Sequence, residues 1–151
     1  MSVSTIYLAA DHGGFEYKNK LLDHLHHQGY SVVDLGADVL DEQDDYPQYA
    51  LAAATKVIGD DDDARAILLC GSGEGMAIAA NRVRGIRAAV CWNPAVAEES
   101  REDNNSNVLC IPARFVTEQE AFKIAEAWLA KDFSTNPKYQ RRIKELEDIY
   151  G

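Results

Sequence analysis

Residues 68–82 read LLCGSGEGMAIAANR: an apolar run ends in Cys70, and Gly71, Gly73 and Gly75 follow within five positions. Glycines allow left-handed backbone and close approach, so successive N–H groups can converge on an anion at the start of a helix. A cysteine at such a point is favoured as thiolate, which can act as a base. A base beside a row of N–H donors is suited to removing a proton next to a carbonyl and holding the resulting enediolate. The plainer reading of the same residues is a tight strand–helix turn with no ligand.

Nucleotide phosphates fit poorly. A dinucleotide fingerprint counted from Gly71 needs its third glycine at position 76, which is Met76, and the next strand ends AVCWN without the ribose-binding acid. No Gly-Lys-Ser/Thr occurs, so a P-loop is excluded. Cys91 and Cys110 read as small buried hydrophobes. A zinc site from the three cysteines and His12 has suitable ligand types but lacks ligand spacing, and we expect no metal and no cofactor. Asp11-His12 enters a Gly-Gly turn after an apolar run, where a loop residue reads as functional; a local Asx turn is the plainer account.

The elements that must position these residues follow from periodicity. Runs 5–10, 31–35, 65–70, 86–91 and 107–111 are apolar without polar alternation, as expected of strands covered on both faces. Helical spacing of Leu21, Leu22 and Leu25 marks 15–28, with Gly29 as its stop. Pro47 opens a second helix, and Thr117 with Glu120 forms a capping box before a third. Residues 136–150 read as a charged terminal helix. Alternation of this kind predicts one α/β domain over 1–151, a doubly wound, Rossmann-like parallel sheet of about five strands. The stretches 41–47 and 59–63 are acidic and read as solvated turns; a calcium loop lacks its spacing. His24, His26 and His27 read as surface or partly packed, and Arg101 and Arg141 as solvated or ion-paired.

Composition bounds the partners. The chain has 151 residues, 46% hydrophobic and 26% charged, with a net charge of −10. That charge argues against nucleic acid and anionic membranes as partners. Three cysteines without CxxC, and no basic-then-apolar start, lead us to expect reduced thiols in a cytoplasmic protein. The basic stretch KYQRRIK (138–144) stands out in so acidic a chain and offers a local cationic cluster for an anionic ligand.

AADHGG, DYP, CGSGEGMAIAANR, GIRAAVC and EDNNSNVLCIPAR occur here in the order found in ribose-5-phosphate isomerase type B, a family that also includes allose-6-phosphate and galactose-6-phosphate isomerases. The chain resembles that family over nearly its whole length. The resemblance implies metal-free interconversion of ribose 5-phosphate and ribulose 5-phosphate through a cis-enediolate. It puts the proton-shuttling role on Cys70, and the anion hole on Gly71, Ser72, Gly73, Glu74 and Gly75. It also implies sugar contacts by Asp11, His12 and Asn104, and phosphate contacts by Arg114, Lys138 and Arg142. It further implies a homodimer or homotetramer with active sites shared between subunits.

Two residues depart from the family pattern. Lys138 stands where many members have arginine, which keeps the charge but loses the bidentate fork. Asp103 stands where well-known members have the histidine that opens the furanose ring, and we expect Asp103 to take that role. The rival expectations are an isomerase of a six-carbon sugar phosphate and a sugar-phosphate-binding module without catalysis.

Overall fold

The computed structural model describes residues 3–60 and 63–149. Its strands are β1 (Ile6–Ala10), β2 (Val32–Asp34), β3 (Arg65–Cys70), β4 (Ala88–Val90) and β5 (Val108–Pro112). Between and after them run α1 (Phe15–His27), α2 (Tyr46–Gly59), α3 (Glu74–Ala80), α4 (Pro94–Asn104), α5 (Glu118–Ala130) and α6 (Pro137–Asp148). All strand pairs are parallel, in the order β2-β1-β3-β5-β4. The expected doubly wound sheet is thus observed, with each strand within two residues of its predicted run.

Apolarity explains the order. Every residue of β3 is buried, as the central position demands, whereas the short edge strands β2 and β4 are half exposed. One face packs Ile6, Leu8, Leu69 and Leu109 against Leu21 and Leu25 of α1 and Ile124 and Trp128 of α5. The other packs Ala9, Leu68 and Cys110 against Ala50, Ala53 and Val57 of α2 and Met76 of α3. Alanines dominate that second face, which lets α2 lie close to the sheet. None of the helices described is long and apolar enough to cross a membrane.

Helix ends follow local chemistry. The capping box of α5 forms as read: Glu120 N–H donates to Thr117 Oγ1 at 3.1 Å and Thr117 N–H to Glu120 Oε2 at 3.2 Å. Helix α4 has no counterpart in the sequence reading. Its signal is Asn93-Pro94, where Asn93 accepts from Val96 N–H at 2.8 Å and proline takes the first turn.

Candidate active site

Strand order reverses direction between β1 and β3, which lie side by side with Ala10 opposite Leu69. Such a switch point opens a crevice at the carboxyl ends of the strands. Here the loops after β1 and β3 fill it, touching backbone to backbone. A Cβ on Gly14 would come within 2.6 Å of the Leu69 carbonyl, and one on Gly13 within 2.8 Å of the Gly71 nitrogen. Side chains would force these loops apart.

Cys70 is the last residue of β3, 5% exposed and opposite Pro112 of β5. Its carbonyl accepts from Ala113 N–H at 3.0 Å, and the Gly71 carbonyl from Arg114 N–H at 2.9 Å. The loop after β3 is therefore latched to the loop after β5. Gly73 caps α3 with φ of +75°, a conformation that side chains rarely adopt. Glu74 N–H donates to Ser72 Oγ at 3.2 Å. The N–H groups of Ser72, Gly73 and Gly75 have no protein acceptor among the described residues. The Arg114 guanidinium lies directly over Gly71, where a Cβ would meet Nη2 at 2.7 Å. Tyr46, at the start of α2, closes the opposite side, its ring 2.9 Å from where a Cβ of Gly75 would sit.

Across the crevice, Asp11 is 6% exposed and its Oδ1 accepts from Gly13 N–H at 2.9 Å. Burial raises its pKa above the ordinary value, against the pull of that hydrogen bond and of His12. The Asx turn, the plainer account of Asp11, therefore forms, and it holds Asp11 at the strand end. His12 bonds through both its backbone N–H and its ring Nδ1 to Asp44 Oδ1, at 3.0 and 2.8 Å. Its pKa is raised, chiefly by that ring hydrogen bond. Asp44 belongs to the acidic stretch read as plain solvated turns, and for this residue the reading is corrected: its side chain is 3% exposed. Nothing local distinguishes it from Asp41 or Asp45, since its partner lies 32 residues away.

The remaining predicted residues lie elsewhere. Asp103 and Asn104 end α4, and the chain then passes through Asn105 and Ser106 to the amino end of β5. Helix α6 packs against α4. It is joined to the segment before β4 by Arg87 Nη1 and Glu147 at 2.6 Å. Lys138 and Arg142 share one exposed face of α6, with Lys138 Nζ 4.9 Å and Arg142 Cζ 5.6 Å from the Tyr139 ring centre. Asp103, Asn104, Lys138 and Arg142 thus gather at the amino edge of the sheet. The length of β5, about 13 Å at the usual strand rise, separates that edge from Cys70.

Two further readings are tested by burial. Arg101 is not solvated but 5% exposed: it donates to the carbonyls of Lys131 and Ser106 and lies 6.0 Å from the Trp128 ring centre. Burial and the neighbouring Arg65 and Arg87 push its pKa down to about 10. Cys91 and Cys110 are fully buried, as read, and burial pushes the Cys91 thiol up to about 11.

The chain matches the family model described as Ribose/Galactose Isomerase over residues 6–146. It is 41% identical over 143 residues to ribose-5-phosphate isomerase B of Mycolicibacterium paratuberculosis, covering 95% of this chain and 89% of that one. Among solved structures, ribose-5-phosphate isomerase B of Mycoplasma genitalium with bound ribulose 5-phosphate aligns with a TM-score of 0.95 at 37% identity, covering 99% and 98% of the two chains. The isomerase B of Clostridium thermocellum aligns at 0.91 with 39% identity, covering 97% of each.

Proposed function

The chain belongs to the ribose/galactose isomerase family, and on that premise we propose that it interconverts ribose 5-phosphate and ribulose 5-phosphate through a cis-enediolate. The observation that carries the chemistry is Cys70 at the head of a turn with unpaired N–H groups, packed against the loop after β1 that carries Asp11 and His12. In the aldose-to-ketose direction the Cys70 thiolate takes the proton from C2. The C2–H electron pair becomes the C1–C2 double bond, and the carbonyl electrons move onto O1. Loop N–H groups of Gly71, Ser72, Gly73 and Gly75 stabilise that oxyanion, while Glu74 N–H remains tied to Ser72. The O2 proton passes to O1, and the thiol returns its proton to C1, which leaves the ketose and a thiolate. Asp11 and His12 hold the sugar, and Arg114 supplies positive charge beside Gly71. A thiol base needs a reducing compartment, and we assign the protein to the cytoplasm.

Lys138 and Arg142 serve as phosphate ligands and Asp103 as ring-opening residue only if they reach a Cys70 crevice. Within one chain they lie at the opposite edge of the sheet from it. We therefore propose a homodimer in which the amino edge of one protomer covers the carboxyl edge of the other. A two-fold axis makes both sites equivalent. Asn104 then contacts the sugar from the same side as Asp103.

One residue favours a second reading. Asp103 in place of a histidine alters ring opening, the step in which pentose and hexose phosphates differ, so a six-carbon sugar phosphate is the alternative substrate. Turnover measured on a panel of pentose and hexose phosphates decides between them. Solvent deuterium entering C2 of the sugar establishes proton abstraction. Tight binding without exchange would leave only a sugar-phosphate-binding module.

A further inference from the structure

Asp44 has no role in the chemistry above, yet it is built unlike the other acids of its loop. An Asx turn fixes it, with Gln43 N–H donating to Asp41 Oδ1 at 3.0 Å and Asp44 N–H to the Asp41 carbonyl at 3.1 Å. Its side chain is 3% exposed, whereas the His12 side chain that it meets is 40% exposed. One oxygen, Oδ1, accepts both from His12 N–H and from the His12 ring. The first bond locks the loop after β1 to the 41–45 loop. The second fixes the rotation of the imidazole.

This arrangement determines which ring nitrogen carries the proton. Burial opposes ionisation of Asp44, but the hydrogen bonds and charge of His12 outweigh it and hold the carboxyl below its ordinary range. An ionised carboxylate only accepts hydrogen bonds, so Nδ1 of His12 must be the donor. In an imidazole the second nitrogen lies on the far side of the ring, and Nε2 has no protein partner among the described residues. A cleft of about 600 Å³, lined by His12, Gly13, Glu16, Tyr17 and Glu42 among others, opens beside the ring.

We infer that Asp44 is a positioning residue that holds His12 in its Nδ1–H form and leaves Nε2 directed away from the protein as the atom that meets a sugar oxygen. The inference rests on the reading of His12 as a sugar contact. A fixed tautomer offers a lone pair when the ring is neutral and an N–H when it is protonated, both at the same place. The charged and titratable groups facing the ring or its cleft are Asp11 beside it, Glu42 and Asp44 from the acidic loop, and Glu16 and Tyr17 from α1. Tyr49 of α2 stands next to Asp44. All the charged ones are acidic, which favours the protonated ring.

Nitrogen-15 NMR of the histidine rings in the free wild-type protein tests this without any turnover. His12 is assigned by the signals that vanish in His12→Asn. The expected result is a neutral form protonated at Nδ1 and a titration midpoint above 6.5, the ordinary value. Asp44→Asn keeps the shape but removes the charge, so the midpoint should fall toward that value. A neutral ring protonated at Nε2, or a midpoint unmoved by Asp44→Asn, overturns the inference. In kinetics, Asp44→Asn should lower kcat/KM about tenfold in the wild-type background and less than twofold in the His12→Asn background. Equal losses in the two backgrounds mean that Asp44 acts through the fold and not through His12, which also overturns it. A protein that gives the expected NMR result but turns over no sugar phosphate would contradict the isomerase reading and leave the Asp44–His12 assignment standing.

Discussion

At the carboxyl edge of the sheet three loops meet with almost no side chains between them, while at the amino edge long side chains reach across to tie separate helices together. On the carboxyl side Gly13 abuts Gly71, Gly14 abuts Leu69, and backbone bonds join Cys70 to Ala113 and Gly71 to Arg114. On the amino side Arg87 reaches the carbonyls of Gly85 and Asn105 and the carboxylate of Glu147, and Arg101 reaches Lys131, Asn105 and Ser106. The first edge leaves N–H groups free for an anion. The second uses guanidinium groups to satisfy carbonyls at helix and loop ends, which sets the angle at which α4 and α6 present Asp103, Lys138 and Arg142. On the function proposed above, one edge holds a developing negative charge and the other carries the groups that bind and prepare the ligand.

The sharpest way to break that division is at Cys70. Cys70→Ala should lower kcat by about 10³-fold, the scale of a lost general base, while a bound competitive inhibitor loses less than about twofold in affinity. Near wild-type turnover would move the base to Glu74, the carboxylate inside the loop. A change in the amino edge should look different. The double variant Lys138→Ala/Arg142→Ala should raise KM for the phosphorylated sugar by about ten- to a hundredfold, from lost charge-assisted hydrogen bonds, and weaken inhibition by inorganic phosphate. Mixing this double variant with Cys70→Ala separates the two edges directly. If each site takes one edge from each protomer, random exchange regenerates one intact site in every heterodimer, or about a quarter of wild-type activity when substrate is held well below the wild-type KM. No recovery after verified subunit exchange would place both groups within a single chain's reach or outside the site altogether.

The carboxyl edge was largely legible in the sequence because its signals are local. An apolar run followed by Cys70, Gly71, Gly73 and Gly75 states both the strand end and the bare turn, and Asp11-His12 before Gly13-Gly14 repeats the pattern at β1. The amino edge was legible only as residue types. KYQRRIK announces a cationic helix, but its position depends on how α6 packs on α4, and α4 itself went unread. Its apolar content is low, with only Ala97 buried among its hydrophobic residues, so periodicity gave no stripe. Arg101 and Asp44 escaped for the same reason: each sits in a charged stretch and is buried by a partner far along the chain. Burial of one charge among several is decided by tertiary geometry, and sequence pattern carries no trace of it.

Asp103 offers a smaller effect that tests the amino edge for chemistry and not only for binding. Ribose 5-phosphate is mostly a closed furanose, whose aldehyde must be released before C2 loses its proton. Ribulose 5-phosphate cannot close such a ring, because its C5 oxygen carries the phosphate. Asp103→Asn should therefore lower kcat about tenfold with ribose 5-phosphate and less than twofold with ribulose 5-phosphate, both at saturation. Equal losses would assign Asp103 to positioning, and no loss in either direction would leave ring opening to another group.

The smallest effect distinguishes the two edges by pH. At the carboxyl edge the His12–Asp44 pair joins two titratable groups whose folded values move in opposite directions. His12 is raised above 6.5, so its contribution to stability is complete below that pH and is lost as pH rises through the raised folded value. Asp44 is lowered below 3.8, so its contribution is complete above that pH and is lost as pH falls through the lowered folded value. The pair therefore contributes fully only between about pH 4 and 6.5 and fades on either side. At the amino edge, by contrast, Arg101 stays charged until about pH 10, and its hydrogen bonds do not change across that interval. The Tm difference between wild type and Asp44→Asn should accordingly be greatest near pH 5, where a few degrees is expected because the ring is partly exposed, and should shrink as pH rises past 7. Arg101→Met should lower Tm by the same amount at pH 5 and pH 8. If the Asp44→Asn difference is as flat with pH as that of Arg101→Met, the carboxyl edge holds His12 by shape alone and charge plays no part in it.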